Sequence, residues 1–136
     1  MNITLKKIAI YHRLSEETTA YNADVYIDGV KSYAASNDGH GGCDFFHPYP
    51  GGIRLADPDG LEEKVGRLLA EYGETKRLRG MMRTKMLIIE GGKLMSINRK
   101  PTPENLALFK RARPGVVVVN DNEAAFTKAV QLLMAA

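Results

Sequence analysis

The stretch that decides the fold is Tyr21–Ala35, YNADVYIDGVKSYAA, in which apolar and polar residues alternate around an Asp-Gly pair. Alternation with a period of two is typical of a half-buried β-strand, and Asp-Gly between two such strands favours a type I′ turn. One face of the first strand carries its apolar residues, Tyr21, Ala23, Val25 and Ile27. We therefore predict an antiparallel hairpin with Ile27 in the core and Tyr26 on the exposed face, where its ring is available to a binding partner.

The residues before the hairpin predict one more strand. Positions 2–11 alternate in the same way, apart from a slip near Lys7 that indicates a β-bulge. Residues 1–36 therefore predict a three-stranded antiparallel meander, and its last strand runs into a glycine-rich loop, Ser36–Pro48.

After the loop, the sequence predicts a helix, a β-hairpin, a second helix, a strand and a C-terminal helix. The signals are Pro58 near a helix start, Gly73 as a helix end, a Gly91-Gly92 turn, Thr102 as a helix cap, the apolar run Val116–Val119, and Asn120 or Asp121 as the last cap. This order predicts an α+β fold.

Length and composition predict a folded domain without a membrane segment. The chain has 136 residues, of which 44% are hydrophobic and 26% charged, as in ordinary globular proteins. We expect a single domain, 1–136, with sub-units at 1–56 and 57–136. The lone cysteine forms no internal disulfide, and the start of the chain lacks the features of a signal peptide, so we expect a location in the cytoplasm of a bacterial host.

Charge is distributed unevenly along the chain. Residues 1–75 carry 7 Lys+Arg and 12 Asp+Glu, whereas residues 76–113 carry 11 Lys+Arg and 2 Asp+Glu. A concentration of positive charge predicts a surface for an anionic partner. The candidate binding residues are Lys76, Arg77, Arg79, Arg83, Lys85, Arg99 and Lys100. The alternative for the run at 76–85 is a solvated connector between a helix and a hairpin.

The glycine-rich loop combines residue types that neither a helix nor a central strand favours. We expect it to have a structural role, because glycines permit left-handed turns and Asn or Asp side chains cap the backbone. The residues in this role are Asn37, Asp38, Gly39, Gly41 and Gly42.

The same loop holds the weak candidates for catalysis, His40, Cys43 and His47. An attacking cysteine with a histidine base would serve a small hydrolase or nuclease that uses Asp38–His47, which is the enzymatic alternative. We predict no metal site, because zinc normally takes ligands from two separate segments and His12 is the one further histidine. We predict no cofactor.

Two segments resemble a group of small proteins encoded by bacteriophages and other mobile elements. They are Leu14–Thr18 and Tyr21–Pro48, the latter with a VYxDGxK hairpin followed by a SNDGxGGC loop. Members of that group have no assigned activity, so the resemblance implies a mobile-element origin and supplies no catalytic residues.

These observations together favour binding over catalysis. We expect a non-enzymatic protein that contacts a host macromolecule or nucleoprotein complex, with inhibition of a host defence system, as by anti-CRISPR proteins, as a special case. A nucleic-acid-binding accessory protein that uses residues 76–113 is the other binding alternative. The oligomeric state is left open.

Overall fold

A computed structural model describes residues 1–135 and confirms the α+β fold. The chain divides into two compact units, unit 1 from Met1 to Leu69 and unit 2 from Ala70 onward. The sequence suggested a division after residue 56. The structural boundary comes later because Leu61, Val65 and Leu69 belong to the hydrophobic core of unit 1.

Unit 1 contains a four-stranded antiparallel sheet. Its strands, in spatial order, are β1 (Ile3–Ile10), β2 (Tyr21–Ile27), β3 (Val30–Asn37) and β4 (Phe45–Pro48). The first three strands are the predicted meander, and β4 extends it within the stretch that the sequence assigned to a loop. β4 forms because Phe46 packs against the core of unit 1 while its neighbour Phe45 points outward, 54% exposed.

The central hairpin has the predicted register. Asp28 and Gly29 have φ values of 49° and 81°, the positive pair that a type I′ turn needs. Ile27 is fully buried, whereas Tyr26 is half-buried, with the Lys6 ammonium 4.4 Å from its ring centroid. The predicted bulge in β1 is confirmed, because the pairing with β2 shifts after Lys6 and Lys7 has a φ of 52°.

Helix α1 (Glu62–Met81) begins after a 3-10 turn at Pro58–Leu61 and continues through Gly73. The prediction that the helix ends at Gly73 is therefore wrong, and the connector interpretation of the basic run holds only for residues 82–85, because 76–81 belong to α1. The helix continues because its last turns supply further apolar contacts, with Leu78 in the core of unit 2. Glycine costs a helix only about 1 kcal/mol, which such contacts outweigh.

Unit 2 is a three-stranded antiparallel sheet with apolar clusters on both faces. Its elements are β5 (Met86–Glu90), β6 (Lys93–Ile97), α2 (Pro103–Ala112), β7 (Val117–Val118) and α3 (Glu123–Ala135), and the strand order is β6-β5-β7. Leu87 and Ile89 of β5 face a cluster formed with α3, whereas Met86 and Ile88 face a cluster formed with α2. A strand buried on both faces needs a continuous apolar sequence, as β5 has.

One asparagine connects three segments of unit 2. The Asn120 side chain accepts a hydrogen bond from the Leu87 N–H at 2.8 Å and donates to the Met82 and Lys85 carbonyls. The prediction of Asn120 or Asp121 as the cap of the last helix is wrong. Asn122 is the cap, and its Oδ1 accepts from the Ala125 N–H.

Candidate anion-binding site

The basic residues of unit 2 fall into two groups. Four are paired with carboxylates, in the ion pairs Arg77–Glu74, Arg79–Glu123, Lys110–Asp121 and Arg113–Glu90. The other eight form no ion pair with any residue of the described range 1–135: Lys76, Arg83, Lys85, Lys93, Arg99, Lys100, Arg111 and Lys128. The structure therefore divides the predicted binding residues, and it leaves this second group available to an external anion.

The Arg79 pair is the best defined of the four. Its guanidinium donates two hydrogen bonds to Glu123 and lies 3.9 Å from the centroid of the Phe126 ring. The hydrogen bonds from Arg79 lower the pKa of the Glu123 carboxyl, and they raise the pKa of Arg79. Arg79 thus joins α1 to α3, which is a structural role that the sequence did not indicate.

Three of the remaining cations line one open cleft of unit 2, with a volume of about 460 Å³. The cleft is lined by Arg83, Thr84, Asn98, Arg99, Lys100, Pro101 and Thr102. None of these lining residues is acidic. Both Arg83 and the Arg99-Lys100 pair were predicted as binding residues from charge alone, and the structure brings them together across 16 positions of sequence.

Local hydrogen bonds shape the two walls of the cleft. On one side, the turn after α1 is closed by the Met81 carbonyl, which accepts from the Thr84 N–H at 3.2 Å. On the other side, Thr102 caps α2 by accepting from the Asn105 N–H, and the Asn105 amide donates to the Lys100 carbonyl at 2.9 Å. These bonds fix the backbone from which the cationic side chains extend.

The lining has the chemistry of an anion site. Guanidinium and ammonium groups carry only donors, and a guanidinium presents them in a planar fork that matches carboxylate and phosphate oxygens. Thr84 and Asn98, which the sequence analysis missed, add neutral hydrogen-bonding groups. The one local signal for them is their position in the sequence, directly beside Arg83 and Arg99.

Three other predicted binding residues, Lys76, Lys85 and Tyr26, are not part of the lining of this cleft. Lys85 is half-buried and directly precedes β5. The Lys76 ammonium is 5.3 Å from the centroid of the Tyr72 ring, one turn earlier on α1. Tyr26 belongs to unit 1, where Lys6 covers one side of its ring. None of the three adds to the lining.

In unit 1, Asn37 is the centre of the glycine-rich loop. Its buried side chain accepts from the Thr18 hydroxyl and the Gly39 N–H, both at 2.8 Å, and donates to the Gly42 carbonyl and to Asp44 Oδ1. Four hydrogen bonds satisfy this amide completely. The Asn37 side chain therefore connects the start of the loop at Gly39, its end at Gly42 and Asp44, and the earlier segment at Thr18.

Gly39 and Gly41 have left-handed φ values of 86° and 91°. The Gly39 carbonyl accepts from the N–H groups of Glu16 and Glu17, each at 3.1 Å. A Cβ on Gly39 would lie 2.1 Å from the Leu14 carbonyl oxygen. Gly42 differs, because its φ is outside the left-handed range and a Cβ there would meet nothing within 4 Å.

The candidate catalytic residues have separate surroundings. His40 Nδ1 lies 3.2 Å from Glu16 Oε2, and Cys43 is exposed. His47 lies on β4, where it pairs with Ala34 of β3. Across residues 1–135, no hydrogen bond joins any two of the three, and no three His, Cys, Asp or Glu side chains form a group that could hold a metal ion. The structure thus pairs His40 with an acid that the sequence analysis did not consider.

Tyr21 lies on the buried face of β2, as its place in the alternating pattern predicted. Its ring is buried and its hydroxyl has no hydrogen-bond partner within the described chain. Burial raises the pKa of this hydroxyl above its usual range, and the nearby Asp44 carboxylate adds to the effect. The group stays neutral, so it serves the core of unit 1.

Comparison of the chain with protein-family models, with curated proteins and with solved structures finds no match. The resemblance of residues 14–48 to phage proteins therefore stays a prediction. Within residues 1–135, no helix has the length and apolar character needed to cross a lipid bilayer.

Proposed function

We propose that this protein is a non-enzymatic binding protein that contacts a nucleic acid, alone or within a nucleoprotein complex of a bacterial host. The observation that carries the proposal is the open cleft of unit 2, whose lining includes Arg83, Arg99 and Lys100 and no acidic residue. Phosphate groups are among the anions that such a set of donors matches, and they are present all along a nucleic acid.

The distribution of ion pairs supports this proposal. Cations that serve the fold, such as Arg79, have partners within unit 2, whereas those of the cleft have none in the described range. Like charges that line one cleft without a counter-charge repel one another, and a bound polyanion offsets that repulsion. Lys76, Lys85, Lys93, Arg111 and Lys128 are also unpaired within the described range, so the choice of the cleft rests on its lining together with the lack of internal partners.

The lining also indicates what kind of contact is made. It contains no aromatic side chain, whereas proteins that read single-stranded bases normally stack them on aromatic rings. The proposed contact is therefore with the phosphates and is independent of base sequence.

The phage or mobile-element origin, and with it the inhibition of a host defence system, rests on the resemblance of residues 14–48. It gives the proposal a biological setting. Affinity capture from a bacterial host, with mass spectrometry and sequencing of the retained nucleic acid, identifies the partner.

Direct binding is measured by fluorescence anisotropy with labelled single-stranded DNA, duplex DNA and RNA, all carrying 5′-hydroxyl ends. We expect binding that weakens steadily from about 50 to 200 mM salt, because each neutralised phosphate releases counterions. No binding to any of the three at the lowest salt, or binding that is indifferent to salt, overturns the proposal.

A further inference from the structure

We infer that the cleft of unit 2 is a subsite for a terminal phosphate, the 5′-phosphomonoester at the end of a nucleic-acid strand. This inference rests on the proposed function, and it specifies which part of the nucleic acid occupies the cleft.

Charge is the first reason. A phosphodiester within a strand carries one negative charge, whereas a phosphomonoester carries about 1.5 to 2 at neutral pH and has three free oxygens. Arg83, Arg99 and Lys100 supply three positive charges around one concavity. The cationic set therefore matches the terminal group better than any single internal phosphate.

Shape is the second reason. The three cations line a single open cleft of about 460 Å³, which exceeds what one phosphate fills. The remaining space accommodates the sugar of a terminal nucleotide, and the hydroxyl and amide groups of Thr84 and Asn98 suit a sugar. Pro101 supplies an apolar wall without a stacking ring, so the base contributes little.

The test compares two otherwise identical DNA strands, one with a 5′-phosphate and one with a 5′-hydroxyl, labelled at the 3′ end. Anisotropy titrations use the full chain, single-stranded and as blunt duplex. We expect the 5′-phosphorylated form to bind about tenfold more tightly, a preference of the size that charge-assisted hydrogen bonds give.

Two variants with the same change in net charge locate the effect. Arg83→Gln with Arg99→Gln alters the cleft, and we expect it to reduce the preference to near one. Arg77→Gln with Arg113→Gln removes two paired cations, and we expect it to keep the preference. A thermal melt of each variant confirms folding. Independently of any variant, a nucleoside 5′-monophosphate should displace the phosphorylated strand, and the free nucleoside should not.

The outcomes separate this inference from the proposed function. If both strands bind equally and with the same salt dependence, nucleic-acid binding stands and the terminal-phosphate subsite is wrong. If neither strand binds, both are wrong. If a phosphoserine peptide competes better than the nucleoside monophosphate, the site recognises phosphoprotein and the inference is overturned.

Discussion

Both terminal nitrogens of the Arg79 guanidinium donate hydrogen bonds to Glu123, one to each carboxylate oxygen, at 3.1 and 3.2 Å. The pair joins the C-terminal half of α1 to the first turn of α3. Charge along the sequence assigns Arg79 to a binding surface, yet its geometry assigns it to the fold of unit 2. The same distinction between paired and unpaired cations underlies the proposed site.

The Arg79–Glu123 pair predicts a specific dependence of stability on pH. Because the pKa of Glu123 is lowered in the folded protein, its contribution is fully present above the ordinary value of about 4.3 and is lost as pH falls through the lowered pKa. The stability difference between wild type and Glu123→Gln should therefore shrink below about pH 4. Urea denaturation at several pH values measures it, and a difference that stays constant with pH contradicts the role of the pair.

Asn37 should be essential to the stability of unit 1. Replacement by alanine removes four hydrogen bonds and leaves the buried Gly39 N–H without its acceptor, so we expect a loss of about 2 kcal/mol or more. The control is Asn22→Ala on β2, an exposed asparagine whose change should cost about 0.5 kcal/mol or less. Equal losses in urea denaturation would show that the loop does not depend on Asn37.

The two ends of the glycine run should differ in their tolerance of a side chain. Gly39→Ala meets both a left-handed φ and the Leu14 carbonyl, so we expect a loss of at least about 2 kcal/mol. Gly42→Ala meets neither obstacle and should be nearly neutral. The sequence predicted the same structural role for Gly42 as for Gly39 and Gly41. The structure indicates that Gly42, unlike Gly39, does not need to be glycine. A destabilising Gly42→Ala with a tolerated Gly39→Ala would reverse the account of the loop.

Gly73→Ala distinguishes a continuous α1 from a helix that ends at Gly73. Inside a helix, with nothing within 4 Å of the added Cβ, alanine should raise stability by about 0.4 to 1 kcal/mol. At a left-handed C-terminal position the same change would lower stability. Calorimetry of the variant decides between the two, and a lower melting temperature would contradict the continuous helix.

Local patterns in the sequence were sufficient for most of the fold. Alternation around Asp28-Gly29 predicted the hairpin and the burial of Ile27, and Thr102-Pro103 predicted the start of α2. These signals are local and act within a few residues. The end of α1 was missed because Leu78 is held by a core formed mostly from later residues, and β4 was missed because its pairing with β3 overrides a composition typical of a loop.

The site was only partly predictable for the same reason. Charge identified Arg83, Arg99 and Lys100, but it identified Arg77 and Arg79 equally. Pairing of Arg79 with Glu123 spans 44 positions of sequence, so no local pattern reveals it. Which cations remain available to a partner is a tertiary property.

The measurement that tests the central claim most directly is the salt dependence of DNA binding in the two charge-matched variants. Each phosphate-contacting cation that is removed should reduce the slope of log K against log salt by about 1. We predict that Arg83→Gln with Arg99→Gln reduces the slope by about 2 and weakens binding at every salt concentration. We also predict that Arg77→Gln with Arg113→Gln leaves the slope almost unchanged. Equal slopes for the two variants would contradict a binding site at the cleft of unit 2. So would a larger reduction of the slope in Arg77→Gln with Arg113→Gln than in Arg83→Gln with Arg99→Gln.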